Sequence, residues 1–263
     1  MIYPHHQKAI DYITDKMQSD NEVEALLISG SIMHGFNQEH ADIDINIAVS
    51  NELYEQKSKA KALTYWESAE SFYTGGYFDG KFITLDYLNL VAERGSEPSR
   101  FALFDSFIAF DKTGQAADYL QKIGTYRLEN IQENTIKFLS QLEAWNWYCK
   151  EAIKHDNQYL LDLSVSKLIL FTARLVLLLN KKFFPYHKWL IRVLEDCESK
   201  PDGLMPAIGR LLERKTADNI THLYELIKNY RDWPAGMQFS WGAHFLNDVE
   251  TLWMRQDEFI ENI

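Results

Sequence analysis

The sequence predicts an α+β protein in which a mixed-sheet N-terminal domain precedes an all-α helical bundle. Strand-type patterning is clearest over residues 42–49, where polar and branched apolar residues alternate without a break. Strand patterns stop after Gly124, and the segments beyond it carry apolar residues at helical spacing. We therefore predict two domains, residues 1–124 and residues 125–263.

The first domain begins with a helix and two strands. Pro4 suits the first turn of a helix, and apolar residues follow it at helical spacing. An apolar run over residues 25–28 predicts a buried strand that ends at the glycine turn of Gly30-Ser31. A short helix is expected over residues 32–36, before the alternating strand.

The rest of this domain predicts a helix, a hairpin, a strand and a last helix. Residues 51–66 are rich in charged and helix-forming residues. Residues 72–90 predict a hairpin, because Asp79-Gly80 is typical of a tight turn, and KFITLDYLNL is its expected second strand. Residues 102–110 are strand-like, and residues 115–123 are helix-like.

The second domain predicts a bundle around one apolar helix. Asp156-Asn157 can cap a helix over residues 158–182, which is apolar over most of its surface. Lys167 and Arg174 lie on roughly the same face of it, which indicates either a stripe whose charged ends reach water or a pocket wall. The flanking helices are predicted over residues 126–155, 204–214, 217–233 and 241–260.

Composition narrows the class of partner. A net charge of −11 argues against a broad surface for nucleic acid, because such surfaces neutralise phosphates with Lys and Arg. The two cysteines form no zinc-site spacing and suit a reducing compartment. The first 17 residues lack the pattern of a signal peptide, and the apolar run at residues 168–179 is too short for a bilayer. We expect a cytoplasmic protein that binds no membrane.

The most specific motif joins a glycine turn to two carboxylates. Ten residues separate Gly30-Ser31 from Asp42-Ile43-Asp44. On an extended strand, Asp42 and Asp44 point to the same side, about 7 Å apart at Cα. Neighbouring carboxylates repel each other unless a cation compensates them, and Mg²⁺ prefers such oxygen ligands together with substrate phosphates. The turn can offer backbone N–H groups and the Ser31 hydroxyl to those phosphates.

This motif resembles the signature of the DNA polymerase β-type nucleotidyltransferase superfamily, including its small-molecule, aminoglycoside-type members. Gly35 stands where many members have a second glycine, whereas Ala41 replaces the Ser or Thr that commonly precedes the first aspartate. The resemblance implies a Mg²⁺ (or Mn²⁺) site at Asp42 and Asp44.

The same resemblance implies a third carboxylate on a neighbouring strand. Asp86 is the acid embedded in the β-rich segment KFITLDYLNL. It is therefore assigned as the third metal ligand and as a possible general base, with an exposed strand-end acid as the alternative. Asp79, in the expected turn, is a weaker rival.

A second resemblance covers VSKLILFTARLVLLLNKKFFPYHKWL, which is similar to a largely uncharacterised helical domain fused behind nucleotidyltransferase heads. Lys188, with Lys167 on the preceding helix, could neutralise triphosphate charge. Tyr186 and Trp189 could stack on a base or an acceptor ring, or they could simply pack at the start of a helix.

Together, these features predict a Mg²⁺-dependent nucleotidyltransferase with its site in a cleft between the two domains. Gly30 and Ser31 would position the phosphates of an NTP, with ATP as the expected donor. The acceptor would be a hydroxyl of a small molecule, such as an aminoglycoside- or lincosamide-like antibiotic.

Two alternatives stay open from the sequence. The same chemistry could modify a protein, as in antitoxin-type enzymes that adenylylate a partner protein. The chain could also bind nucleotide without turnover. Extension of RNA is disfavoured, because no basic groove is visible in the sequence.

Overall fold

The computed structural model describes residues 2–36, 38–233, 240–255 and 260. The chain forms two compact units, Met1–Thr125 and Tyr126–Ile263. The sequence-based boundary lies one residue earlier, and the assignment of the two segments as separate domains stays a prediction. The predicted α+β class is confirmed, with a mixed sheet in the first unit and helices in the described part of the second.

The first unit contains five strands and six helices within its described residues. In chain order they are α1 (Pro4–Gln18), β1 (Val23–Ser29), α2 (Gly30–Met33), β2 (Ile43–Val49), α3 (Asn51–Lys59), β3 (Thr64–Ser68), β4 (Tyr77–Ile83), α4 (Leu85–Arg94), α5 (Glu97–Leu103), β5 (Phe107–Asp111) and α6 (Ala116–Gly124). The strand order across the sheet is β3-β4-β2-β1-β5. Strands β2 and β4 pair in parallel and the other neighbours are antiparallel.

One face of the sheet is apolar along β1, β2 and β4. The isoleucines of β2 alternate onto this face, with Ile43 and Ile47 fully buried. Helix α1 packs there through Ile10 and Ile13. This is the amphipathic arrangement that the alternating sequence predicted, and it fixes the register of β2, because a slip of one residue would expose every isoleucine.

The opposite face is divided into a covered half and an open half. The covered half contains Leu27, Ala48 and Ile83, which pack with buried residues of α4 and α6 such as Leu88. The open half contains the polar residues of the same strands, which are Ser29, Asp44, Asn46, Asp79 and Lys81. Alternate residues of a strand share a face. The same face of this sheet therefore has apolar core residues in one half and polar residues in the other.

Arg100 ties together the helices that cover this face. The side chain is 3% exposed. Its guanidinium donates to the carbonyl oxygen of Ala92 in the last turn of α4 at 2.6 Å and to that of Gly95, directly after α4, at 3.3 Å. It also donates to the carbonyl oxygen of Ile123 in α6 at 3.0 Å. The forked geometry of arginine lets one residue satisfy carbonyls at the ends of two helices.

The predicted hairpin over residues 72–90 is wrong. Asp79-Gly80 lies within β4, and the connection from β3 runs through residues 69–76, where the Ala69 amide donates to the Gly76 carbonyl at 2.8 Å. Glycine occurs inside the strand because a Cβ at residue 80 would lie 2.6 Å from Cγ1 of Ile45. Close packing, rather than a turn, explains this glycine.

Three further boundaries differ from the prediction. The segment expected as the second hairpin strand ends at Ile83, because Thr84 caps α4 by accepting the amide of Tyr87 at 3.0 Å. The helix expected over residues 51–66 ends at Lys59 and is followed by strand β3. The strand expected over residues 102–110 begins only at Phe107.

The second unit is helical in its described part. Its helices are α7 (Ile131–Lys154), α8 (Gln158–Leu179), α9 (Tyr186–Glu195), α10 (Leu204–Glu213), α11 (Ala217–Lys228) and α12 (Trp241–Phe245), followed by a π-helical turn (Leu246–Glu250) and a 3₁₀ turn (Leu252–Met254). The predicted cap of α8 is confirmed, since Asn157 accepts the amide of Leu160 at 3.0 Å. The helix predicted over residues 241–260 is broken into these short pieces, and residues 256–259 lie outside the described residues. Among the described helices, none has both the length and the apolarity to cross a bilayer.

We predict that Arg100→Ala destabilises the first unit by about 3 kcal/mol, because buried carbonyls then lose a charged donor. The measurement is urea unfolding followed by circular dichroism. Arg94→Ala is the matched control, since Arg94 is an exposed arginine in the last turn of α4 and should cost less than about 0.5 kcal/mol. Equal losses for the two variants would contradict the role given to Arg100.

Candidate active site

Four adjacent strands place one residue each in a row across the open half of the sheet. Register pairs Ser29 with Asp44, Asp44 with Asp79, and Asp79 with Trp66. Side chains of directly paired residues lie on the same face of a sheet, and neighbouring strands are about 5 Å apart. The row therefore runs from the glycine turn after β1 to the edge strand β3.

Three carboxylates meet in the middle of this row. Asp42, Asp44 and Asp79 each offer one oxygen, and the three oxygens lie within 4.8 Å of one another. Asp42 and Asp44 are half-buried and Asp79 is exposed. Asp42 is the residue directly before β2, so its carboxylate joins the group from the N-terminal side of the strand.

The turn at Gly30 touches this group. Gly30 has φ +71°, and a Cβ built there would lie 1.7 Å from Oδ2 of Asp44. The residue thus needs glycine for its backbone conformation and for the close approach of a carboxylate. Ser31 follows in the short helix α2 and is almost fully buried.

Two tyrosines hold the chain that leads into β2. The Tyr73 hydroxyl donates to the Ala41 carbonyl at 2.8 Å, and the Tyr77 hydroxyl donates to Oδ2 of Asp42 at 3.1 Å. The negative charge of Asp42 is the largest cause of the raised pKa of Tyr77. Burial, with Asp42 second, raises the pKa of Tyr73 to about 12. Both phenols therefore remain protonated donors at neutral pH.

A lysine lies on the same face as the acids. Lys81 follows Asp79 by two residues on β4 and pairs in register with Asn46. Desolvation lowers the pKa of Lys81, while the charges of Asp44 and Asp79 act in the opposite direction. Asn46 is buried and donates to the Ser29 hydroxyl oxygen at 2.9 Å. Lys81 thus interacts electrostatically with two members of the carboxylate group.

The assignment of Asp86 as the third carboxylate is corrected. Asp86 lies in the first turn of α4, and its carboxylate accepts a hydrogen bond from the side-chain Nδ2 of Asn51 at 2.8 Å. Strand β4 runs from Tyr77 to Ile83, so Asp79 lies near the start of the strand and Asp86 lies beyond its end. The structure brings Asp79, rather than Asp86, beside Asp42 and Asp44.

From the sequence, Asp79 ranked below Asp86 as the third carboxylate and Lys81 had no assigned role, for one reason. Both follow from the period of two in β4, since Asp79, Lys81 and Ile83 share a face. Because an Asp-Gly pair is typical of a tight turn, the sequence predicted a turn at residues 79–80 in place of a continuous strand. A usable signal was present, because Tyr77, Phe78 and Phe82 flank the pair with residues that favour strands.

The carboxylate group fits a divalent cation. Three carboxylate oxygens from a rigid sheet form the hard, anionic donor set that Mg²⁺ and Mn²⁺ prefer. The missing side chain of Gly30 lets the Asp44 carboxylate lie directly against the turn. The donor set also leaves room for oxygen ligands supplied by a substrate.

The predicted contacts from the helical unit stay predictions. Lys188 is exposed on α9, with its Nζ 5.2 Å from the ring centroid of Trp189. Tyr186 is 55% exposed, and Lys167 is half-buried on α8. No contact between these four residues and a nucleotide is tested by the structure.

Arg174 is buried in α8 and does not reach the surface, so it forms no exposed stripe with Lys167. It is 1% exposed, and its guanidinium carbon lies 4.6 Å from the ring centroid of Phe138 and 4.7 Å from that of Phe184. This placement between two rings is a cation–π arrangement inside the helical unit.

Comparisons with known proteins add two findings. Residues 101–190 match the model of a domain of unknown function, DUF4037. This match spans the end of the first unit and the start of the second, and it excludes Asp42, Asp44 and Asp79. A comparison with curated proteins finds no match.

A nucleotidyltransferase-like protein from Exiguobacterium sibiricum 255-15 has a similar structure. The alignment covers 96% of this chain and 80% of that one, with 10% sequence identity and a TM-score of 0.47.

We predict that Gly30→Ala destabilises the first unit by about 3 kcal/mol, from left-handed backbone strain and displacement of the Asp44 side chain. Gly35→Ala is a matched control, because Gly35 has φ +72° and nothing within 4 Å of a built Cβ. It should show the strain alone, about 1 kcal/mol. Urea unfolding of both variants measures the difference, and equal losses would show that residue 30 has no special contact with Asp44.

Proposed function

We propose that this protein is a divalent-metal-dependent nucleotidyltransferase that moves an NMP group from an NTP to a hydroxyl of a small molecule. The observation that carries the proposal is the meeting of Asp42, Asp44 and Asp79 beside the Gly30 turn. The motif Gly-Ser, ten residues, Asp-x-Asp supports it independently.

The Gly30 turn, the three carboxylates and Tyr77 would have distinct roles in this reaction. The Gly30-Ser31 turn would hold the β- and γ-phosphates through backbone N–H groups and the Ser31 hydroxyl. Asp42 and Asp44 would hold the metal, and Tyr77 would keep Asp42 oriented through its hydrogen bond. Asp79 would be the third ligand and would accept the proton of the acceptor hydroxyl.

The chemistry is an in-line displacement at phosphorus. The acceptor oxygen forms a bond to the α-phosphorus, and the bond from that phosphorus to the bridging oxygen breaks. Pyrophosphate leaves with the electron pair, and the hydroxyl proton passes to Asp79. A divalent cation held by the three carboxylates would neutralise charge on the phosphate oxygens. The fixed strands contribute by placing the groups before reaction, so most of the rate enhancement comes from positioning and electrostatics.

The acidic surface favours a neutral or cationic acceptor. The net charge is −11, and the acids of the site are exposed or half-exposed at the surface of the first unit. Such a field attracts amines and disfavours polyanions. An aminoglycoside- or lincosamide-like acceptor, with ATP as donor, fits both the field and the motif.

We predict that Asp79→Asn lowers nucleotidyl transfer at least about 100-fold, because a ligand and the proton acceptor are lost together. Asp42→Asn and Asp44→Asn should do the same. Asp86→Asn is the matched control and should keep wild-type transfer. The measurement is pyrophosphate release with each labelled NTP, Mg²⁺ and a panel of aminoglycosides and lincosamides.

Two results would contradict the proposal. Loss of transfer in Asp86→Asn but not in Asp79→Asn would return the role of third carboxylate to Asp86, as the sequence predicted. Tight NTP binding without pyrophosphate release for any acceptor, protein acceptors included, would indicate a nucleotide-binding module.

We also predict that Asp44→Asn lowers affinity for Mn²⁺ at least about tenfold in the absence of nucleotide, because one of three anionic ligands becomes neutral. Electron paramagnetic resonance of free Mn²⁺ measures this without turnover. Asp105→Asn serves as a control, since Asp105 instead lies 3.3 Å from Nδ1 of His34 and outside the carboxylate group. Equal Mn²⁺ affinity in the wild type and Asp44→Asn would remove the metal site from the proposal.

A further inference from the structure

Trp66 is an exposed aromatic residue at the end of the row. It lies on the edge strand β3, and 69% of the residue is exposed. Single exposed aromatic residues are ordinary on protein surfaces. The position of this one is distinctive, because its register partner across the strands is Asp79, so both side chains lie on the same face.

The indole is also held in place by a residue of the site. Its ring stacks on Tyr77, with ring centroids 6.4 Å apart and an interplanar angle of 26°. The Tyr77 hydroxyl in turn donates to Asp42. The ring of Trp66 is therefore supported on one side, while most of its surface remains open to solvent.

Strand order decides which substrate would meet this ring. The glycine turn follows β1 and Trp66 lies on β3, with the carboxylates of β2 and β4 between them. In an in-line displacement, the attacking and leaving oxygens lie on opposite sides of the phosphorus. If the leaving pyrophosphate lies at the Gly30 turn, the acceptor must approach from the side of β3.

We infer that Trp66, supported by Tyr77, is the binding platform for the acceptor, and that the acceptor is a hydroxylated ring compound that carries an amine. This inference rests on the proposed function, because it takes its direction from the phosphate-binding role of Gly30-Ser31. The ring of the acceptor places its apolar C–H face against the indole of Trp66, and one hydroxyl of the acceptor points along the row toward Asp79.

The distances suit an acceptor of that size. Trp66 is one strand spacing from Asp79 and two from Asp44, about 5 and 10 Å between Cα atoms. A six-membered ring spans about half of that interval, so a substituent hydroxyl can reach the phosphorus while the ring stays on the indole. An amine on the ring gains from the aromatic face and from the neighbouring carboxylates.

The test compares Michaelis constants for the two substrates. With kanamycin as the acceptor probe, Trp66→Ala should raise the KM for kanamycin about tenfold or more and change the KM for ATP less than about twofold. Trp66→Phe restores an aromatic face and should recover most of the affinity. Phe107→Ala is the matched control, since Phe107 is an exposed aromatic residue, 53% exposed, on the opposite edge strand β5.

Two kinetic results would overturn the inference while leaving the proposed function intact. A raised KM for ATP with an unchanged KM for kanamycin would mean that the ring holds the nucleobase. Unchanged constants for both substrates would mean that the ring holds neither.

A second measurement does not depend on turnover. Saturation-transfer NMR of kanamycin with the wild-type protein should show a signal that Trp66→Ala loses and Phe107→Ala keeps. This result would support the platform even if no pyrophosphate were released, in which case the transferase proposal alone would fail. Equal signals in the wild type and Trp66→Ala, or no signal in the wild type, would overturn the platform.

Discussion

The approach of Asp44 to residue 30 is possible only because residue 30 has no side chain. A Cβ there would occupy the position of the carboxylate oxygen. The same glycine adopts a left-handed conformation, so it ends β1 and starts α2 in one step. The turn and the carboxylate are thus a single packed unit, and the turn that we propose to bind phosphate lies beside the proposed metal ligands.

The division of one sheet face into two halves gives the site both a rigid base and an opening. Helices α4 and α6 cover the half that contains Leu27 and Ala48, and Arg100 connects the ends of these helices. The strands then continue past the helices into the polar half. The carboxylates therefore belong to strands that are buried a few residues away, which limits their motion.

Sequence alone predicted the parts of the fold that depend on short-range patterns. The alternation of β2 gave its faces, and the motif around Gly30 gave two of the three acids. Asp79 could not be placed in this way, because its role depends on the parallel pairing of β2 with β4, which no local pattern encodes. Gly80 shows the same limit, since a strand glycine and a turn glycine differ only in the neighbour that crowds them.

The chain from Ser50 to Gly76 links two parallel strands, and this crossover has a consequence for folding. Strands β1 and β2 can pair early, because a short connection joins them. Asp79, Tyr77 and Trp66 join only after the longer crossover has closed. Because β3 pairs directly with β4, the pairing of β4 with β2 brings the third acid and the aromatic ring to Asp42 and Asp44 together.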